Sequence, residues 1–128
     1  MGAALDITKQ AYEDFGRRDI PAFLKLVADE VDWKVCCPTS WPISGLRRNP
    51  AEVGDFFAAF ASFDEMTVFE PREFIEAGDH VTVLGYQEGV ALDTKQTFKT
   101  EWAQLWTVRN GKITRWRAFG DTAARYGH

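Results

Sequence analysis

Several things are scarce or missing in this 128-residue chain, and each absence narrows what it can do. There are two histidines, His80 and His128, far apart in sequence, and two cysteines, Cys36 and Cys37, directly adjacent. Neither pair has the spacing of a metal site, so no metal is expected. Neighbouring cysteines cannot bridge one another without strain, which suits reduced thiols and a cytoplasmic protein. No Walker-type loop, dinucleotide fingerprint, HExxH or nucleophile elbow occurs, and no cofactor is expected. Basic residues form no block beyond Arg17-Arg18 and Arg47-Arg48, and the net charge is -4. That balance weighs against nucleic acid as a partner. No long apolar run or signal-type leader is present, so neither a membrane span nor secretion is expected.

What the chain does have is aromatic surface: five Trp and ten Phe in a length that suits one domain, 1–128. Most such rings fill a core. Their other use is to wall a ligand cavity, since those sites are predominantly apolar and aromatic. The densest stretch runs from Phe98 to Asp121, where two runs of aromatic and β-branched residues flank Asn110-Gly111. That pair predicts a tight hairpin. Alternation puts Phe98, Thr100, Trp102, Gln104, Trp106 and Val108 on one face of the first strand. In the second, Trp116, Ala118 and Gly120 share a face, while Ile113, Arg115, Arg117, Phe119 and Asp121 share the other. A face carrying Trp102, Gln104, Trp106 and Trp116 is broad, apolar and marked by one amide.

Ahead of the hairpin the chain reads as helices and further strands. Ala4, Ile7, Ala11 and Phe15 recur at helical spacing with Tyr12 alongside, and Gly16 suits the stop. Asp19-Ile20-Pro21 opens a short second helix that buries Phe23, Leu24 and Val27. Val31, Trp33, Val35 and Cys37 alternate with polar residues as a half-buried strand, ended by Pro38. The loop that follows, to Arg48, carries Trp41, a ring that either folds onto the core or covers the mouth of a cavity. Asn49-Pro50 with Glu52 caps a third helix whose Val53, Phe56, Phe57 and Phe60 face inward. Met66 to Glu76 is a strand in which Pro71 requires an edge or a bulge. Val81 to Gln87 is the next, with Gly85 marking a bend or a close approach.

Helices followed by antiparallel strands define an α+β fold. The expectation is a curved mixed, mostly antiparallel sheet wrapped round three N-terminal helices, a cone-shaped barrel or roll with its mouth at the 38–48 loop. The order of elements, with Phe15 to Leu24, Ser44-Gly45, Ala77 to Val81, Trp106 to Ile113 and Arg115 to Thr122, resembles the nuclear-transport-factor-2-like superfamily. The nearest likeness is to its SnoaL-like, ketosteroid-isomerase-related subgroup. The resemblance implies an isomerase, cyclase or hydrolase working by general acid–base catalysis, or a non-catalytic ligand-binding or protein-interaction domain. It also implies a homodimer through the sheet, for which alternation leaves Leu84 and Tyr86 on the outer face.

The positions where the family carries catalytic carboxylates fall at Val35, Gln104 and Ala118, and its helical Tyr falls at Ala11 or Tyr12. Valine and alanine cannot carry a proton. The site expected from the residues is therefore Trp33, Trp41, Trp102, Trp106, Trp116 and Tyr12 as binding surface, with Gln104 as the orienting hydrogen bond. Asp121 is the acid–base candidate, its alternative role being a cap for a C-terminal turn. The partner so described is a small apolar molecule bearing a carbonyl or hydroxyl oxygen. Cys37 shares the Trp33 face but has no histidine placed to activate it, and Arg115 and Arg117 pair across strands on the side of Asp121.

Overall fold

Asn110 and Gly111 both take positive φ, 53° and 75°, the backbone of a type I′ turn. They join β4 (Thr97–Arg109) to β5 (Lys112–Gly120) with Trp106 opposite Trp116. The computed structural model describes residues 2–126 and surrounds that hairpin with seven more elements. These are α1 (Ala3–Gly16), α2 (Ile20–Leu24), β1 (Val27–Val35), α3 (Pro50–Phe63), β2 (Asp64–Ala77), β3 (His80–Ala91) and a 3-10 helix (Thr122–Tyr126). The five strands form one sheet in the order β1-β5-β4-β3-β2, antiparallel except that β1 runs parallel to β5. It curves over the helices without closing into a barrel, so β1 and β2 are its edges.

Local chemistry accounts for the helix ends. Asn49 Oδ1 accepts from the Glu52 amide at 2.9 Å with Pro50 in the first turn, and Asp19 caps α2 by accepting from Ala22 at 3.1 Å. α1 ends at Gly16 as expected, with Gly16 its last helical residue. The left-handed residue is Arg18 at φ 58°. Asp19 N bonds to Asp14 O and Arg18 N to Phe15 O, both at 2.9 Å, the paired bonds of a Schellman motif. Val27, expected in α2, starts β1 instead, because it pairs with Ile113 in the parallel ladder.

Pro71 lies on the edge strand β2, at a register shift between Pro71 and Glu73, so edge and bulge both occur. A second shift, at Thr107 and Val108, changes the face of Ile113. Strict alternation grouped it with Arg115 and Phe119, yet it is fully buried with the Trp116 side. A bulge inserts one residue, and one residue inverts the side-chain pattern.

The core lies between the helices and the concave sheet face, where Trp33 stacks on Trp116 at 4.1 Å. On the convex face Leu84, Leu105 and Phe119 remain exposed. Among the described residues no helix is long and apolar enough to cross a membrane.

Candidate functional site

The curved sheet and the helices leave a cavity of about 150 Å³ between them. Its wall is largely aromatic: Phe56, Phe57 and Phe60 of α3 face Trp33, Trp106 and Trp116 of the sheet. The 38–48 loop contributes Trp41 and Ile43, so this loop lies at the cavity as its position in the chain suggested.

A hydrogen-bonded chain crosses the inner wall. Trp106 Nε1 donates to Tyr12 Oη at 3.0 Å, and Tyr12 Oη donates to Gln104 Oε1 at 2.6 Å. Trp116 Nε1 donates to the same Oε1 at 3.4 Å. An indole N–H can only donate, so the direction of each bond is fixed, and with it the orientation of the amide. The Gln104 oxygen is committed twice, while among the described residues its Nε2 has no partner. Gln104 lines the cavity, and its two N–H groups are left free as donors. Burial pushes the Tyr12 hydroxyl far above its ordinary range, against the opposing effect of the Trp106 bond. Tyr12 is therefore a neutral donor at any physiological pH.

Tyr12, Trp33, Trp41, Trp106, Trp116, Gln104 and Asp121 all line the cavity; Trp102 does not. Its ring stacks on Phe69 at 4.9 Å and lies over Gly85, where an added Cβ would meet ring carbon 2.2 Å away. Gly85 is directly opposite Trp102 in the ladder. With no side chain there, the indole lies flat on the sheet behind Tyr12 instead of standing into the cavity. The close approach anticipated at Gly85 is this one.

Asp121 has a dual position. Its Oδ1 accepts from Ala123 N at 3.0 Å, capping the 3-10 helix, and its own N–H donates to Thr100 Oγ1 at 3.0 Å. Val35 and Ala118, where the resemblance located carboxylates, line the cavity together with Gln104. Cys36 and Cys37 are unbridged and reach the cavity as well. Burial, with Cys36 beside it, pushes the Cys37 thiol up against the pull of Lys34, which leaves it a poor nucleophile. Arg117 pairs with Asp32 of the neighbouring strand β1 at 2.7 Å, the cross-strand ion pair expected of it. Among the described residues no three His, Cys, Asp or Glu converge into a metal-binding group; His128 lies outside those residues.

Sequence reasoning missed one part of the wall, the ion pair of Asp64 and Arg125. Asp64 sits at the junction of α3 and β2, and Arg125 lies in the 3-10 helix, 61 residues away, with no periodic signal in either segment. Burial pushes the Asp64 carboxyl above its ordinary range, opposed by the Arg125 hydrogen bond.

Comparison with known proteins agrees with this geometry. Residues 8–116 match the SnoaL-like domain family. An NTF2-like protein from Burkholderia xenovorans is 30% identical over 98% of this chain and 94% of that one, at a TM-score of 0.85. An NTF2-like protein of unknown function from Burkholderia pseudomallei is 28% identical over 96% and 94%, at 0.87. TerC, co-crystallised with polyporic acid, is 28% identical over 98% and 97%, at 0.84. No curated protein matches the chain. With its helices, its open five-stranded sheet and the extent of these matches, the chain belongs to the SnoaL-like domain family of the nuclear-transport-factor-2-like superfamily.

Proposed function

We propose that this protein binds a compact, mostly apolar molecule with a carbonyl or hydroxyl oxygen, and that Gln104 holds the oxygen. The observation that carries this reading is the fixed Gln104 amide. Two indoles and a phenol saturate its own network, and the amide still presents unpaired N–H groups on an aromatic wall. A cavity of about 150 Å³ is the size that accepts one benzene-like ring. That TerC was co-crystallised with polyporic acid is consistent with a small-molecule role on this fold.

For the chemistry, the residues favour binding over the family's isomerase, cyclase and hydrolase reactions, since Val35 and Ala118 carry no proton. If a reaction does occur, Asp121 is the acid–base group at the rim. An interaction module of the transport type would have no need of an aromatic cavity. The unbridged cysteines fit a reducing cytoplasm.

The same reading includes a homodimer. Leu84, Leu105 and Phe119 lie on three adjacent strands of the convex face and are 39%, 38% and 43% exposed. A second copy of the chain packed sheet to sheet would cover them.

Titration of the intrinsic tryptophan fluorescence with phenol and with cyclohexanone tests the assignment. Both are expected to quench or shift the emission. Trp41→Ala is expected to weaken binding while the far-UV dichroism stays unchanged, because Trp41 sits on a loop. A ligand that binds equally well to wild type, Gln104→Ala and Trp41→Ala would place the site elsewhere.

A further inference from the structure

The Asp64–Arg125 pair is a part of the cavity wall that the apolar-ligand reading leaves unused. Both side chains are buried, with 8% and 4% of their surface exposed, and both line the cavity. Arg125 Nε donates to Asp64 Oδ1 at 2.9 Å, and Nη2 donates to the Phe63 carbonyl at 2.9 Å. Nη2 also lies 2.7 Å from Asp64 Oδ1 and 3.2 Å from Asp93 Oδ1. The guanidinium lies over the Phe63 ring at 3.5 Å and within 5.3 Å of the Trp41 ring.

Counting donors and acceptors shows what remains. Among the described residues every bond of the guanidinium uses Nε or Nη2, and every bond of the carboxylate uses Oδ1. Among the described residues Nη1 and Asp64 Oδ2 have no partner. Nε, Nη2 and Oδ1 are thus satisfied within the protein, which leaves one N–H donor group on Arg125 and one carboxylate acceptor on Asp64. Burying an ion pair costs more desolvation than packing apolar groups in the same space. As mere core filling the arrangement is poor; as a recognition element in a largely apolar cavity it is strong.

The charge count selects the ligand chemistry. Asp64 and Asp93 both flank the one guanidinium, so no positive charge is left over for a carboxylate or a phosphate. An ammonium would meet the Nη1 hydrogens. A neutral hydroxyl suits either group, since it can accept from Nη1 or donate to Oδ2.

We propose that Asp64 and Arg125 form a second polar subsite of the cavity, which recognises a hydroxyl group on a ligand whose other oxygen is held by Gln104. The inference rests on the small-molecule reading above and deepens it. The ligand class becomes a single-ring compound with two oxygen functions, dihydroxy or hydroxy-keto.

The test compares phenol, the three benzenediols and benzoate on wild type, on the double variant Asp64→Leu/Arg125→Met and on Arg125→Lys, by isothermal calorimetry. Replacing both members of a buried pair by apolar residues is well tolerated, and near-UV dichroism checks that the double variant folds. Arg125→Lys keeps the charge but loses the planar fork, and it decides the matter alone if the double variant does not fold. In wild type at least one benzenediol is expected to bind roughly tenfold or more tightly than phenol. Both variants are expected to lose that advantage. Equal affinity for phenol and every benzenediol in wild type overturns the subsite and leaves the cavity reading standing. An undiminished benzenediol advantage in a folded variant, or benzoate outbinding the diols, overturns it too. No binding by phenol or by any diol overturns the cavity reading, and the subsite with it.

Discussion

Tyr12 and Gln104, 92 residues apart in the chain, share a hydrogen bond of 2.6 Å that ties α1 to β4. Its oxygen end serves the fold and the other end of the amide faces the cavity, so the two roles of Gln104 can be separated. Gln104→Glu keeps an acceptor for Tyr12 and Trp116 but removes both N–H donors. It is expected to fold and to bind phenol or cyclohexanone at least about tenfold more weakly. Gln104→Leu removes the acceptor as well. It leaves two buried donors unsatisfied and is expected to lose about 1–3 kcal/mol in urea denaturation.

The raised Tyr12 hydroxyl gives a signature in alkali. Its folded pKa lies far above the unfolded value of 10.0. Between the two, the native state holds a proton that the unfolded state has released, so this contribution is complete below pH 10 and is lost as pH rises past it. The slope approaches about 1.4 kcal/mol per pH unit for the one group. Tyr12→Phe is expected to flatten that decline when stability is measured from pH 9 to 11. In a spectrophotometric titration, wild type should show one tyrosine that ionises only on unfolding. An identical pH slope in Tyr12→Phe would count against the assignment.

Gly85 is required by Trp102. A methyl group there would meet the indole at 2.2 Å, and the ring, stacked on Phe69 at 4.9 Å, has little room to retreat. Gly85→Ala is expected to cost about 1–3 kcal/mol through overpacking, read by urea denaturation. Gly85→Ala combined with Trp102→Leu should recover most of the loss. Equal instability of the single and double variants would show that the clash is not the cause.

For the convex face, wild type is expected to sediment as a dimer at tens of micromolar. Leu105→Asp places a carboxylate among exposed apolar residues at the centre of the sheet and is expected to sediment as a monomer with unchanged far-UV dichroism. A monomeric wild type under those conditions would remove the proposed interface.

The features that could be read from the chain were those encoded within a few residues. Asn110-Gly111 specifies its turn, Asn49-Pro50 its helix start, and Pro71 its edge by lacking a donor. Period two placed Gln104 and Trp106 on the cavity face because β4 keeps its alternation through them, and Trp116 of β5 lies directly opposite Trp106. Where an unseen partner decides, the pattern fails. Ile113 changed faces because of a bulge at Thr107 and Val108, and Trp102 lay flat because the residue across the ladder is a glycine. The parallel pairing of β1 with β5 joins segments distant in sequence, and the Asp64–Arg125 pair spans 61 residues with no period linking its ends.

The cavity takes wall residues from every helix and every strand: Tyr12 and Phe23 from the first two helices, Gln87 from β3 and Arg125 from the last turn are four of them. The wall is drawn from the length of the chain, from Tyr12 to Arg125. An occupant therefore binds the folded chain alone, and occupancy and folding become one linked equilibrium. Free ligand at 100 times its Kd would add about 2.7 kcal/mol to stability. The melting temperature thus becomes a ligand detector in its own right, able to sort a chemical library without a labelled probe, a known substrate or an assumed reaction.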